Sequence, residues 1–167
     1  VDVKPPAVTA LPIKVGIQLS NSPASGTYGP MVVTKLKEYN TFQSISFPYR
    51  QGDDVDALMS LDINGRWKAD GSNFLKGFVI GLSLFTLSPV IGPGMSGNHE
   101  YTAVLSKNGK EIGQYKASIK THVSWGMLAN NDEVSQNADA KQISKIASDL
   151  SEKLQTDRTR IGGEFGK

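Results

Sequence analysis

The dipeptide Asn108-Gly109 joins two stretches of alternating apolar residues, and it restricts the fold more than any other feature of the sequence. Asn-Gly supplies the two residues of positive φ that a type I′ turn requires, so it connects neighbouring antiparallel strands. The flanking stretches 99–107 and 110–123 place Tyr, Ala, Leu and Ile at every second position over most of their length. This pattern predicts a β-hairpin with one buried face.

Two further stretches show strand patterns. The dipeptide Asn64-Gly65 follows the apolar residues of 57–63 and precedes 66–69, and it predicts a second hairpin by the same reasoning. In 11–19, large apolar residues occupy every second position, which predicts a half-buried strand.

Helical spacing is found in two places. Apolar residues three and four positions apart in 138–154 predict an amphipathic helix. Residues 29–39 predict a short helix with Pro30 at its first position, preceded by a loop over 21–30 that is rich in Ser, Gly and Pro. Strands, hairpins and a closing helix in this order predict an α+β fold, a two-layer sandwich with a mixed or antiparallel sheet and its helices on one face.

A chain of 167 residues suffices for one domain. We expect residues 1–10, which contain Pro5 and Pro6, to form an extended tether because proline fixes φ and removes a hydrogen-bond donor. The single α+β domain is then expected over 11–156, and the polar, glycine-bearing residues 157–167 are expected to form a flexible tail.

Composition excludes several classes of function. The 18 basic and 16 acidic residues nearly cancel, so a nucleic acid partner is not predicted. The chain contains no cysteine and two histidines, which excludes thiol chemistry and Cys-based metal sites. The carboxylates between positions 53 and 62 lack the spacing of an EF-hand, and the glycines of 92–97 are not followed by a predicted helix, as a dinucleotide site requires. The sequence therefore predicts no metal and no cofactor.

The segment 77–91 is unusually apolar and carries no charge. A helix of this length covers roughly 22 Å, which is short of the roughly 30 Å of a bilayer core. The segment is then either a strand buried on both faces or an exposed element that contacts a membrane or a partner protein. For the exposed alternative, the predicted contact residues are Phe78, Leu82 and Phe85, joined by Trp67 and Trp125 because amphipathic rings favour such borders.

The sequence begins with Val1 and not with methionine, as is expected of a mature exported protein that has lost its signal peptide. We expect a periplasmic protein anchored in a membrane by a lipid on residues upstream of Val1. The alternative is a cytosolic protein of which this is an internal piece.

Several segments together resemble a known group of proteins. They are the opening Leu-Pro-Ile-Lys-Val-Gly-Ile, the Asp-rich approach in 53–63, the hairpin around Asn108-Gly109 and the C-terminal helix. In this order the chain, over about 11–154, resembles the ectodomains of uncharacterised bacterial envelope lipoproteins. It is also similar in layout to the α/β domains of the curli-secretion-lipoprotein, TolB N-terminal and penicillin-binding-protein-activator types. The resemblance implies an exported, membrane-tethered adaptor without catalytic residues.

The leading functional hypothesis is therefore a non-enzymatic adaptor whose partner is another envelope protein or a membrane surface. One alternative is a binding domain for a small lipid, with a cavity lined by 77–91. The other is an enzyme, for which the available acid and base groups are Asp53, Asp56, His99 and His122.

Overall fold

The computed structural model describes residues 6, 9–69, 94–125 and 130–166, and there a five-stranded mixed sheet packs against helices on one face. This confirms the predicted α+β two-layer sandwich. The strands are β1 (Leu11–Leu19), β2 (Phe42–Ser46), β3 (Ala57–Ala69), β4 (Gly94–Lys107) and β5 (Lys110–Ser124), and the helices are α1 (Pro23–Glu38), α2 (Asn131–Thr156) and α3 (Arg158–Glu164).

The strands lie in the order β2-β1-β3-β4-β5. Strand β1 runs parallel to both of its neighbours, whereas β3, β4 and β5 pair antiparallel. The pairing of β1 with β3 ends at Leu19 and Leu61, so the rest of β3 continues beyond β1. We call this extension, formed by residues 62–69, 94–102 and 116–124, the distal half of the sheet.

The core lies between the helices and the inner face of the sheet. Alternate residues of β1 and β3, such as Ile13, Ile17 and Met59, are fully buried. Helix α1 contributes apolar residues at spacings of three and four, and so does α2, where Ile146 and Leu150 are fully buried. The spacing places these residues on one face of each helix, which is why both helices pack on the sheet.

The two Asn-Gly dipeptides differ in structure. Asn108 and Gly109 have φ values of 50° and 77° and form the turn between β4 and β5, so the first predicted hairpin is confirmed. The hairpin predicted at Asn64-Gly65 is wrong, because both residues lie inside β3 and pair with β4. Gly65 has a φ of 140°, and a Cβ atom on it would lie 2.3 Å from the carbonyl oxygen of Asn98. Glycine is needed there for close approach of two strands, not for a turn.

The first helix begins earlier than predicted. Helix α1 starts at Pro23, and the side chain of Ser22 caps it by accepting a hydrogen bond of 3.1 Å from the backbone N–H of Ser25. The loop predicted over 21–30 is therefore wrong for most of its length, and Pro30 lies inside the helix. A serine cap followed by proline in the first turn is a strong helix start, and it prevails over the glycines that follow.

The C-terminal region also differs from the prediction. Helix α2 begins at Asn131, where Asn130 caps it, and α3 occupies part of the region expected to be a flexible tail. Ile161 of α3 is fully buried in the core. Of the predicted tether over 1–10, residues 1–5 and 7–8 lie outside the described residues, and the backbone N–H of Thr9 donates to Gln155 at 3.2 Å.

The free edge of β5 is covered by lysines from α2. Lys141, Lys145 and Lys153 donate hydrogen bonds of 3.0–3.3 Å to backbone carbonyls of His122, Lys120 and Lys116, respectively. Charged side chains at an exposed strand edge oppose pairing with another chain. The contacts also fix α2 along β5, and thereby beside the distal half of the sheet.

Replacing Gly65 with alanine should test the position of this glycine within β3. We expect Gly65→Ala to lower the free energy of unfolding by about 3 kcal/mol or more, because the new methyl group would overlap backbone of β4. The matched control is Gly109→Ala, which has open space around its Cβ position and should cost only about 1–2 kcal/mol for its positive φ. Urea unfolding of both variants measures the difference, and equal losses would indicate that Gly65 also lies in a turn.

Candidate functional site

The predicted contact residues are described only in part. Phe78, Leu82 and Phe85 lie outside the described residues, as does the whole segment 77–91 that the lipid-binding alternative requires. Trp67 is half-buried on the inner face of β3, and its indole N–H donates to Asp139 of α2 at 3.0 Å. Its ring is thus held between the sheet and α2. Trp125 is also half-buried and follows directly after the end of β5.

The four acid and base candidates do not converge. Asp53 and Asp56 lie before the start of β3, where Asp53 accepts hydrogen bonds from Ser46 and from the backbone N–H of Arg50, which lower its pKa. His99 lies on β4 opposite Gly65, about eight residues or roughly 26 Å further along the sheet. His122 is on the opposite face of the sheet from His99 and is exposed. An enzyme site built from these four residues has no geometric basis.

Among the described residues, no group of His, Asp and Glu side chains could hold a metal ion. The helices among them all fall short of the length and apolar character that crossing a bilayer requires.

A buried polar cluster lies on the inner side of the distal half. Asp139 of α2 is at its centre and accepts hydrogen bonds from the Tyr28 hydroxyl at 3.1 Å and from Trp67. The rings of Tyr28 and Trp67 contact His99 edge-on, with centroid distances of 5.2 and 5.7 Å. Side chains from α1, β3, β4 and α2 therefore meet around one fully buried imidazole.

Several polar atoms near this cluster are unsatisfied. Both ring nitrogens of His99, both amide atoms of Gln142 and the hydroxyl of Thr121 are buried without a hydrogen bond of normal geometry in the described structure. Burial lowers the pKa of His99, although Asp139 and the nearby Gln142 favour its protonated form. The same carboxylate, together with burial, raises the pKa of Tyr28. The cluster thus holds a neutral imidazole at a cost in stability.

A groove of about 880 Å³ lies on the outer face and edge of the distal half. We call it the cationic groove, because five basic side chains and one carboxylate line it among the residues that the structure describes. Its charged and polar side chains come from β3 (Asn64, Arg66, Lys68), β4 (Ser96, Asn98, Glu100), β5 (Lys120, His122) and α2 (Lys141, Lys145).

The sequence analysis missed the cationic groove. Its basic residues come from three elements, and only the register of the strands brings them together. The alternation of Arg66 and Lys68 places both on one face of a strand, but the wrongly predicted turn at Asn64-Gly65 concealed this. An uninterrupted strand over 57–69 is the one sequence interpretation that would have aligned them.

Comparisons with known proteins support the fold. No family model and no curated protein matches the sequence. Among solved structures, a minor lipoprotein from Acinetobacter baumannii is similar with a TM-score of 0.52 and 8% identity, over 87% of this chain and 94% of that one. A DUF330-family protein from Xanthomonas campestris gives 0.51 and 11%, over 100% and 96% of the two chains. A Helicobacter pylori protein described as a neuraminyllactose-binding hemagglutinin homologue gives 0.51 and 10%, over 92% and 94%.

The buried imidazole of His99 should make the protein sensitive to acid. Since its pKa is lower in the folded chain than the ordinary value of about 6.5, its contribution to stability is complete above that pH and is lost as the pH falls below it. We expect the free energy of unfolding to decrease by up to about 1.4 kcal/mol per pH unit in that range. Urea unfolding at several pH values between about 8 and 5, the range in which histidine side chains ordinarily titrate, measures this slope.

His99→Phe should flatten this dependence, because it removes the group that gains a proton on unfolding. The matched control is His122→Phe, which leaves the buried imidazole in place and should keep the wild-type slope. An unchanged slope in His99→Phe would assign the acid sensitivity to other groups, of which Asp139 is the one that faces His99 directly.

Proposed function

We propose that this chain is the ectodomain of a bacterial envelope lipoprotein, located in the periplasm and tethered to a membrane by a lipid. The observation that carries the proposal is the likeness to the Acinetobacter minor lipoprotein, which extends over 94% of that chain and 87% of this one. The likeness therefore involves the whole domain, including the mixed sheet and the helices on one face. The layout noticed in the sequence agrees with the same assignment.

Within this assignment the role is non-enzymatic. The four acid and base candidates, Asp53, Asp56, His99 and His122, do not converge, and the one buried histidine lies inside the sandwich. What the described residues offer instead is an open polar face on the distal half of the sheet. Such a face is suited to contact with a partner or a surface. The resemblance to curli-secretion-lipoprotein, TolB or penicillin-binding-protein-activator domains enters this proposal only as a similar order of strands and helices.

The function proposed is that of a membrane-proximal adaptor, with Phe78, Leu82 and Phe85 as the contact residues. In the sequence they come between Ala69, at the end of β3, and Gly94, at the start of β4, which both lie at the tip of the distal half. Trp125 lies at the same end, after β5. Trp67 lies on the inner face of the sheet near this end, where its indole N–H donates a hydrogen bond to Asp139.

Lipid attachment can be tested with the natural precursor. The 167 residues contain no cysteine, so the proposed lipid attachment requires a cysteine in a longer precursor. We expect the precursor, expressed in a Gram-negative host, to incorporate labelled palmitate and to be found in the membrane fraction. Replacing the upstream cysteine with serine should abolish both. An unlabelled product that stays in the cytoplasm would contradict the proposed location and anchor.

The contact residues can be tested by charge substitution in the 167-residue chain. We expect Phe78→Asp, Leu82→Asp and Phe85→Asp, combined, to leave the urea midpoint unchanged and to reduce binding to membranes or envelope extracts. The matched control is Met31→Asp, since Met31 is a large apolar side chain on α1 that is 41% exposed. A loss of several kcal/mol in stability, as expected when buried apolar side chains are replaced, would instead place these residues in a core.

A further inference from the structure

We infer that the cationic groove binds the anionic headgroups of a phospholipid bilayer. The inference rests on the proposed envelope function and adds to it the surface of the domain that meets the membrane and the class of lipid that it recognises. The groove residues that the inference uses all belong to the described part of the chain.

Strand register builds the groove in rows across the outer face. Lys68 of β3 is level with Ser96 of β4 and His122 of β5, and these three form the row nearest the tip of the sheet. Neighbouring strands lie about 4.8 Å apart, so the outer members of a row are about 10 Å from one another with a polar residue between them.

The next row has basic side chains on both outer strands. Arg66 of β3 is level with Asn98 of β4 and Lys120 of β5. The two rows therefore place Lys68, Arg66 and Lys120 beside polar side chains of β4, which suits groups with several negative oxygens, such as the phosphates of lipid headgroups. The one carboxylate among the described lining residues, that of Glu100, lies one row further from the tip.

Among the described residues, the groove has more basic than acidic side chains. None of its five basic side chains forms an ion pair with a carboxylate in the part of the chain that the structure describes. Lys141 and Lys145 donate to backbone carbonyls, which are uncharged. Burial and the proximity of Lys141 lower the pKa of Lys145, so the two ammonium groups repel one another. A bound anion would relieve this repulsion.

The proposed anchor favours a membrane over an acidic protein as the occupant of the groove. A lipid anchor holds the domain at a bilayer, so anionic headgroups are the negative groups that the groove meets at high local concentration. The basic side chains of the groove are spread over β3, β5 and α2, across rows about 10 Å wide, which suits an array of headgroups.

Vesicle flotation of the 167-residue chain, without its anchor, tests the inference. We expect the chain to float with vesicles of equal parts phosphatidylglycerol and phosphatidylcholine and to remain unbound with phosphatidylcholine alone. Arg66→Gln with Lys68→Gln should weaken binding about 25-fold, from about fivefold for each basic residue removed near an anionic surface. Both side chains are exposed, so the variant should keep the wild-type urea midpoint.

The matched control is Lys37→Gln with Lys110→Gln, which removes two charges from exposed positions outside the groove. This variant should bind within about twofold of the wild type, since the charges it removes do not face the lipid. Equal losses in the two variants would attribute the binding to net charge alone and overturn the proposal.

Two other results would also overturn it. The first is wild-type binding by the Arg66 and Lys68 variant. The second is groove-dependent binding of a soluble poly-glutamate peptide without binding to phosphatidylglycerol vesicles, which would assign the groove to an acidic protein. Because palmitate labelling of the precursor is independent of the groove, a labelled protein that fails to bind the vesicles would disprove the groove's role and leave the lipoprotein assignment in place.

Discussion

Backbone hydrogen bonds join β3 to β4 without interruption from the pair Leu58–Ser106 to the pair Ala69–Met95. Strand β1 pairs with only the first part of β3, so this long pairing carries three strands past the rest of the sheet. The extension has two faces of different chemistry. Its inner face is covered by α1 and α2 and encloses His99, whereas its outer face carries basic and polar side chains. Both features would be lost if the chain turned at Asn64-Gly65.

The position of α2 depends on three carboxylates that accept hydrogen bonds from aromatic donors of the sheet. Asp139 accepts from Trp67 of β3 and Asp149 accepts from Tyr101 of β4, while Asp157, after the end of α2, accepts from Tyr115 of β5. Burial and these carboxylates raise the pKa of Tyr101 and Tyr115 far above the ordinary value, so both hydroxyls remain donors at any physiological pH. Helix α2 is thus fixed to three successive strands, and its lysines reach around β5 as a consequence. The cationic groove therefore depends on contacts made on the opposite face of the sheet.

The parts of the fold that local chemistry determines could be predicted from the sequence. The turn at Asn108-Gly109, the strand over 11–19 and the amphipathic part of α2 all follow from periodicity and turn preference. The identical dipeptide at Asn64-Gly65 could not be predicted, because pairing with β4 overrides a preference that both sites share. Strand β2 is short, and its apolar residues are irregularly spaced, so its parallel pairing with β1 left no periodic pattern. The cationic groove could not be predicted for a related reason. Arg66, Lys120 and Lys145 are brought together only by the register of the strands and the position of α2 on the sheet.

The start of β1 and the cationic groove lie at opposite ends of the sheet. Val15 of β1 is level with Ala57, so Leu11 is about 16 strand positions, or roughly 50 Å, from the tip at Ala69. If the proposed anchor joins β1 through a tether shorter than this separation, a groove that binds the same bilayer requires the long axis of the sheet to lie along the membrane surface. If the domain stood upright on its anchor, the groove would lie roughly 50 Å or more from that bilayer and would face a second anionic surface instead. Because the two ends are far apart, the orientation of the domain decides whether the adaptor lies on one membrane or connects two surfaces.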